Sequence, residues 1–396
     1  MESPNEPLRI LAIVNLPWDP RLGAARVWIE LAEEWTRAGH VVEKFCLTDA
    51  FPEPTSSNVR STWRTVLFPY RAAAFVRRNA ARFDVIDCLI GTLPWSKKSL
   101  RFRGLLVARS VGLYRLYEDF LRLSRSRWPD QPKGRFLGRI FYRLVDGHFW
   151  RKAEASVRVC DLLNLPNENE SRVLEADAAL RAPAIVQPYG LSDHFREALA
   201  REAAPAAERL QRQKICFIGM WSLRKGSRDW SQIMEAIWQR HPQAEFVFLG
   251  TMSSEKLVRA DLGFDQTKRI TCLPNYDAPD LPKLLADVTI GLFPSYVEGF
   301  GLAVLEQLAA GLPTVAYDVA GPHQILQSQS GWLLTPAGDP AAMAARAAEI
   351  LALPLAKYEE LANACIGIAG EYRWSAIAAR TIRQYRAGLD SLGQGR

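Results

Sequence analysis

The stretch PSYVEGFGLAVLEQLAAGLPTVAYDVAG, from Pro294 to Gly321, places two carboxylates around a glycine-rich turn. The residues just before it, 288–293, form a short apolar run that predicts a buried parallel strand. After the turn, apolar residues recur at helical spacing from Leu302 to Ala310, and Gly311 supplies a stop signal. The sequence therefore predicts a strand, a loop and a helix in succession.

The residues of this loop indicate the chemistry of its ligand. Gly299 and Gly301 allow backbone N–H groups to approach a ligand closely, and the helix start at Leu302 adds partial positive charge, so phosphate is favoured. Glu298 and Glu306 would repel phosphate but accept hydrogen bonds from hydroxyl groups, as in a sugar ring or a ribose. A ligand that contains both phosphates and diols would satisfy the whole segment.

Two other interpretations of the turn exist. Gly299-Phe300-Gly301 could begin a dinucleotide-binding fingerprint, although the third glycine position holds Val304 and the strand lies late in the chain. Alternatively, Glu298 and Glu306 could be solvated charges on a loop and a helix, which is the usual state of an isolated pair of glutamates.

Glu298 and Glu306 stand as E-x7-E, which resembles the signature of the retaining GT-B glycosyltransferases of glycosyltransferase family 4. Other segments are also similar to that family, namely LRILAIVNLP near the start, ICFIGMWSLRKGSRDW in the second half and YRWSAIAARTIRQYR near the end. The resemblance implies an α/β fold of GT-B architecture, in which two Rossmann-like, doubly wound domains face each other across a cleft. It is weakest between residues 50 and 150.

The alternation of elements independently supports two domains. Strand-like and helical runs alternate in two series, which is typical of open α/β sheets, and 396 residues are too many for one ordinary core. We assign residues 1–200 to an N-terminal domain and 210–372 to a C-terminal domain, and the resemblance implies that the first binds the acceptor and the second the nucleotide sugar. The polar, alanine-rich stretch 196–213 is interpreted as the connection. The resemblance implies that residues 373–396 form a helix that returns to the first domain.

The resemblance also points to a cationic diphosphate site. Lys225 matches the family's diphosphate lysine, and a fixed cation there would stabilise a departing nucleoside diphosphate without a metal ion. The family commonly places an arginine directly after the glycine, but here Met220 follows Gly219. Arg224 is our candidate for the missing charge.

The remaining roles follow from the same resemblance. Glu306 is expected to bind the ribose hydroxyls, and Glu298 to orient the sugar ring while positive charge develops at the anomeric carbon. The catalytic candidates are Glu298, Lys225 and Arg224. The donor-binding candidates are Gly23, Gly219, Asn275, Tyr276, Gly299, Phe300, Gly301, Leu302 and Glu306.

Two further positions concern histidine. Many family members carry a histidine near the reacting sugar, and Val111 occupies the corresponding position here. No catalytic histidine is therefore assigned. His323 follows Gly321-Pro322 and is a weaker candidate for a place near the donor.

Several classes of protein are disfavoured by composition. No apolar run reaches the 18 or more residues of a membrane span, and the start MESPNEP lacks the features of a secretory signal, so a cytoplasmic location is expected. The six cysteines are scattered singly, which argues against a zinc knuckle or a disulfide framework. The sequence has no DxD motif, and we expect no metal and no cofactor beyond the nucleotide-sugar substrate, whose base it does not identify.

Charge distribution suggests an anionic acceptor. Between Arg60 and Arg158 there are 22 lysine and arginine residues against 7 aspartate and glutamate residues, whereas the whole chain has a net charge of +7. This favours a lipid-diphosphate-linked saccharide, an acidic polysaccharide or the inner face of an anionic membrane. Basic and aromatic residues are mixed from Leu121 to Lys152, which suits a lipid headgroup region but also a solvated pair of basic helices. No nucleic-acid module is visible, and no nucleic acid is expected as a partner.

Together with the resemblance, these features predict a hexosyltransferase that moves a sugar from a nucleotide-diphosphate donor to a saccharide or lipid-linked saccharide acceptor. The resemblance alone implies that the anomeric configuration is retained. Cell-surface glycan or exopolysaccharide synthesis is the expected setting, in the cytoplasm or attached peripherally to the inner face of the plasma membrane. The alternative is a catalytically inactive GT-B protein that still recognises a nucleotide or glycan, because Val111 and Met220 depart from the common pattern. An epimerase or phosphorylase of the same architecture is a third interpretation.

Overall fold

The computed structural model describes residues 6–129, 136–177, 180–264 and 268–394, with only the backbone described for Asn58, 136–144 and Gln394. The strands are β1 Arg9–Val14, β2 Val41–Cys46, β3 Val85–Leu89, β4 Leu105–Arg109, β5 Leu162–Leu165, β6 Ala184–Val186, β7 Lys214–Ile218, β8 Glu245–Leu249, β9 Ile270–Leu273, β10 Ile290–Phe293, β11 Thr314–Tyr317 and β12 Leu334–Thr335. The helices are α1 Gly23–Arg37, α2 Leu47–Ala50, α3 Asn58–Asn79, α4 Lys97–Leu100, α5 Tyr114–Arg127, α6 Phe136–Val159, α7 Glu168–Glu175, α8 Asp193–Glu202, α9 Ala206–Arg212, α10 Trp230–Arg240, α11 Glu255–Leu262, α12 Leu281–Leu285, α13 Leu302–Ala309, α14 Ala320–Leu326, α15 Ser330–Leu333, α16 Pro340–Leu351, α17 Leu355–Glu371 and α18 Trp374–Gln394.

The chain divides into two compact units. The first comprises Met1–Glu118, Arg125–Pro188 and Trp374–Arg396, and the second comprises Asp119–Ser124 and Tyr189–Arg373. The division after Pro188 differs from the sequence-based boundary at 200–210, because α8 packs against α12 and α13 of the second unit. The stretch interpreted as a connection is helical and forms α8 and α9.

The first unit is built on a parallel sheet in the order β2-β1-β3-β4-β5-β6. Its central strands are near-continuous apolar runs, as expected for strands that helices cover on both faces. In β1, for example, Ile10 lies opposite Val42 on one side and Val85 on the other, and residues 10–14 are fully buried.

A buried ionic cluster joins α18 to this sheet. Asp87 on β3 accepts hydrogen bonds from Arg109 on β4 (2.7 Å) and from the indole of Trp28 on α1 (3.3 Å). Tyr385 on α18 donates its O–H to Asp87 and accepts a hydrogen bond from Arg109 at 3.0 Å. Burial, with Asp87 nearby, raises the pKa of Tyr385 well above its usual value, so the phenol remains a donor. The C-terminal helix is therefore part of the first unit's core.

The second unit contains a parallel sheet in the order β12-β11-β10-β7-β8-β9. From β7 the chain adds β8 and β9 on one side and then returns to add β10 on the other. The strand order therefore reverses between β7 and β10, and ligands of open α/β sheets bind beyond the carboxyl ends of the strands at such a point. These two parallel sheets with their helices confirm the predicted α/β fold class.

Candidate functional site

Two loops meet at the point where the second sheet reverses its strand order. One follows β7 and contains a short 3-10 turn, Leu223–Lys225, which ends at Gly226 with a φ of +78°. The other follows β10 and leads into α13. Because β7 and β10 are parallel neighbours, with Ile215 opposite Ile290, both loops leave the same edge of the sheet.

Close backbone packing and hydrogen bonds to backbone carbonyl groups hold the two loops together. A Cβ atom at Gly226 would lie 2.2 Å from the carbonyl oxygen of Pro294, so only glycine fits there. Tyr296 N–H donates to the carbonyl oxygen of Arg224 at 2.8 Å, and the Arg224 guanidinium donates to the carbonyl oxygen of Val297 at 3.0 Å. This contact fixes the β7 turn against the glycine loop.

Three charged side chains converge at this junction. Lys225 Nζ contacts Glu298 Oε2, and Arg224 Nη1 lies 3.6 Å from the same oxygen. The side chains of Lys225 and Glu298 are 11% and 17% exposed, and Lys225 Nζ lies 4.5 Å from the centre of the Phe293 ring. Burial lowers the pKa of Lys225, an effect that Glu298 opposes. The pair is therefore a nearly buried cation held beside a carboxylate.

The start of α13 forms the third side of the site. Gly301 precedes the helix with a φ of +99° and, as a glycine, has no side chain with which to cap it. The first turn of α14 packs on it, since Gly321 N–H donates to the carbonyl oxygen of Glu298 at 3.2 Å and a Cβ at Gly321 would lie 2.3 Å from the Phe300 carbonyl oxygen. Glu306 lies on α13 and is buried.

The other predicted site residues are placed differently. The Phe300 ring is buried against the rings of Tyr189 and Tyr372, so only its backbone is available to a ligand. Asn275 is exposed and Tyr276 half-buried in the loop after the edge strand β9. The structure therefore brings together Arg224, Lys225 and Glu298 with the glycine loop, whereas Asn275 and Tyr276 follow a strand two places from β7.

Gly23 and the departures from the family pattern complete the set of predicted positions. Gly23 begins α1 in the first unit, where an added Cβ would meet no other atom within 4 Å. Met220 is 45% exposed directly after Gly219. His323 lies on the surface, where its Nδ1 is 2.7 Å from Asp318.

A buried carboxylate that the sequence did not predict lies next to the two loops. Asp229 precedes α10 and accepts hydrogen bonds from the hydroxyl groups of Tyr296 (2.6 Å) and Tyr317 (2.7 Å). Sequence reasoning missed this cluster because the two tyrosines look like ordinary core aromatics. The available signal was the position of Tyr296, two residues before Glu298.

A second buried carboxylate supports the loop that contains Val111. Glu170, at the start of α7, accepts hydrogen bonds from the Ser110 hydroxyl (2.5 Å) and from Leu113 N–H (3.1 Å). Burial raises the pKa of Glu170 to about 7, although these hydrogen bonds oppose the shift. The loop after β4 is thus held by a carboxyl group that titrates near neutral pH.

Replacing Glu170 by glutamine is expected to stabilise the protein only at higher pH. The wild-type carboxyl is protonated in both states below its ordinary value of 4.5, and the stability contributed by this protonated form is lost as pH rises through about 7. Glutamine avoids that loss, which corresponds to about 3 kcal/mol of unfolding free energy. Urea unfolding at pH 4 and pH 8 measures the difference in unfolding free energy between the variant and the wild type. Glu168→Gln, at an exposed position, is the control. An equal effect at both pH values would contradict the assignment.

The described residues also bear on two other kinds of site. They contain no group of three or more His, Cys, Asp or Glu side chains that could hold a metal ion. None of their helices is both long and apolar enough to cross a membrane. In the basic and aromatic stretch 121–152, residues 130–135 lie outside the described residues.

Known proteins are similar to this chain over part or most of its length. Residues 212–352 match the family model for glycosyl transferases group 1. Over 184 residues the chain is 30% identical to a D-inositol 3-phosphate glycosyltransferase of Pseudarthrobacter chlorophenolicus. This match spans 44% of this chain and 43% of the relative. The chain is also 25% identical over 181 residues to the GDP-mannose:cellobiosyl-diphosphopolyprenol alpha-mannosyltransferase of Xanthomonas campestris. This match spans 44% of this chain and 47% of the relative. The chain thus matches less than half the length of each of these curated relatives.

A solved structure extends the likeness to both units. Sucrose-phosphate synthase of Thermosynechococcus elongatus superposes with a TM-score of 0.75 at 17% identity, covering 97% of this chain and 100% of that chain. At this level of identity the likeness concerns the fold. The resemblance that the sequence motifs predicted is therefore confirmed for residues 212–352, which match the glycosyl transferases group 1, and the fold of the chain is shared with this synthase.

Proposed function

We propose that this protein transfers a hexose from a nucleotide-diphosphate donor to a saccharide or lipid-linked saccharide acceptor, with retention of the anomeric configuration. The observation that supports this most is the meeting of Lys225, Arg224 and Glu298 with the start of α13, which follows Gly301, at the point where the strand order reverses. One site there offers cations and backbone N–H groups for phosphates, and a carboxylate for hydroxyl groups.

In the proposed reaction, the bond between the anomeric carbon and the diphosphate oxygen breaks, and its electron pair leaves with the nucleoside diphosphate. The growing negative charge is stabilised by Lys225 and Arg224 and by the N–H groups of residues 299–302. Glu298 accepts hydrogen bonds from the sugar hydroxyls and holds the ring as positive charge develops on its carbon. Glu306 binds the ribose hydroxyls. The acceptor hydroxyl oxygen forms the new bond to the anomeric carbon, and its O–H bond breaks as the proton passes to an oxygen of the departing diphosphate.

An anionic acceptor is the second part of the proposal. The two curated relatives act, by their names, on an inositol phosphate and on a diphosphopolyprenol-linked disaccharide, both of which carry phosphate. The excess of lysine and arginine between Arg60 and Arg158 would attract such a group. Because a polyprenol lies in a membrane, a lipid-linked acceptor would bring this basic region to the anionic cytoplasmic surface.

Thermal shift with UDP, GDP and ADP tests the donor site. A nucleotide at one hundred times its dissociation constant should add about 2.7 kcal/mol to the unfolding free energy of the wild type. Lys225→Ala and Glu306→Ala should lose this gain, whereas exposed Lys256→Ala should keep it. Stabilisation by one nucleotide alone would identify the donor base. If none of the three stabilises the wild type, the inactive binding protein becomes the better interpretation.

A further inference from the structure

The cluster around Asp229 joins three separate segments beneath the proposed donor site. Asp229 stands three residues after Gly226, Tyr296 two residues before Glu298, and Tyr317 at the end of β11. Both tyrosine hydroxyls donate to the same oxygen, Asp229 Oδ2, at 2.6 Å and 2.7 Å. The two rings also pack edge to face with centroids 5.4 Å apart.

The carboxylate of Asp229 is 96% buried, since the residue is 4% exposed. Within the described parts of the chain it forms no ion pair, so its charge is stabilised by the two phenol groups and by the start of α10, which it precedes. Such a buried charge tolerates little displacement of its donors, because an unsatisfied carboxylate in a protein interior is costly. Tyr296 is consequently held in one position.

The position of Tyr296 determines that of the glycine loop. The tyrosine lies in the middle of the short segment from Pro294 to Glu298, and its own N–H is bonded to Arg224 in the β7 turn. Its hydroxyl and its backbone are thus anchored to the segment 224–229. Glu298, two residues further on, extends from this doubly anchored segment.

We propose that Tyr296 is a positioning residue, whose hydrogen bond to buried Asp229 places the Glu298 carboxylate for the sugar of the donor. This inference rests on the proposed function, in which Glu298 contacts the sugar and Lys225 contacts the diphosphate. Tyr317 donates to the same oxygen from a strand that does not carry Glu298, so it contributes to stability without this role.

Tyr296→Phe and Tyr317→Phe form a matched pair for the test. Each variant removes one hydroxyl from Asp229 Oδ2 at nearly the same distance and keeps the ring. Isothermal titration calorimetry measures the dissociation constant of each nucleoside diphosphate and of a corresponding nucleotide sugar. The pairs are UDP and UDP-glucose, GDP and GDP-mannose, and ADP and ADP-glucose. Release of nucleoside diphosphate from each nucleotide sugar gives the hydrolysis rate without an acceptor.

Tyr296→Phe is expected to bind the nucleoside diphosphate within twofold of the wild type, yet to bind the nucleotide sugar at least fivefold more weakly and to hydrolyse it at least tenfold more slowly. Tyr317→Phe should match the wild type in both affinities and in the hydrolysis rate. Equal behaviour of the two variants would overturn the positioning role and leave the proposed function standing. A wild type that binds none of the nucleotides would remove the proposed function, and this inference with it. Asp229→Asn, which alters the shared acceptor, should reproduce the effect of Tyr296→Phe.

Discussion

Replacing Glu298 by glutamine should strengthen the binding of a nucleoside diphosphate and, at the same time, reduce sugar transfer by about 100- to 1000-fold. Lys225 is paired with Glu298, so an incoming diphosphate must compete with this carboxylate for the ammonium group. Glutamine has nearly the same shape without the charge and removes that competition. It also removes the charge that is proposed to hold the sugar as its anomeric carbon becomes positive.

Lys225→Met should have the opposite effect on diphosphate binding, although it changes the same contact. This variant should lose both diphosphate binding and transfer, because the stem remains but the cation is absent. Calorimetry with the nucleoside diphosphate measures the two affinities, and Lys256→Met on the exposed face of α11 should change neither. Weaker diphosphate binding by Glu298→Gln would show that the carboxylate supports the lysine rather than competing for it.

The advantage of Glu298→Gln should also depend on pH. Burial lowers the pKa of Lys225, and the nearby Glu298 is the main influence that raises it again. Without that carboxylate the pKa of Lys225 falls further, so the ammonium group loses its proton at a lower pH. The gain in diphosphate affinity should therefore shrink as the pH rises, and titrations at pH 7 and pH 9 would reveal it.

The central strands could be predicted from the sequence, but the sheet edges could not. Buried parallel strands such as β10, and β1 after its first residue Arg9, are apolar runs, so they stand out in the sequence. By contrast, β2 reads VVEKFC and contains two charges, because it lies at the edge of its sheet and Val41 is 53% exposed. The strands β6 and β12 have only three and two residues, too few for any periodicity.

The site shows the same contrast between local and distant information. Glu298 could be predicted as a site residue from the glycine turn and helix start beside it, and Lys225 from the resemblance of its segment to the family motif, because both signals lie in a short stretch of sequence. Their mutual contact could not, since 73 positions separate them and the contact depends on the pairing of β7 with β10. The role of Asp229 was equally hidden, because a carboxylate beside a helix start usually faces solvent.

Breaking the buried ionic cluster of the first unit should have the largest effect on stability. Arg109→Met removes the cation that faces Asp87, and both residues are fully buried, so an unpaired carboxylate remains in the core. Such a change typically costs 3–5 kcal/mol, roughly half of the stability of an ordinary domain. Tyr385→Phe removes one hydroxyl from the same cluster and should cost about 1–2 kcal/mol.

The exposed pair Arg9–Asp84 is a suitable control because its ionic atoms are only 2.6 Å apart, yet its side chains are 50% and 28% exposed. Arg9→Met should therefore change the unfolding free energy by less than about 1 kcal/mol in urea titrations. If Arg109→Met were equally mild, water would have to reach Asp87 after the substitution. The double variant Asp87→Leu/Arg109→Met separates these cases, since it should be more stable than Arg109→Met alone only if the lone buried charge causes the loss.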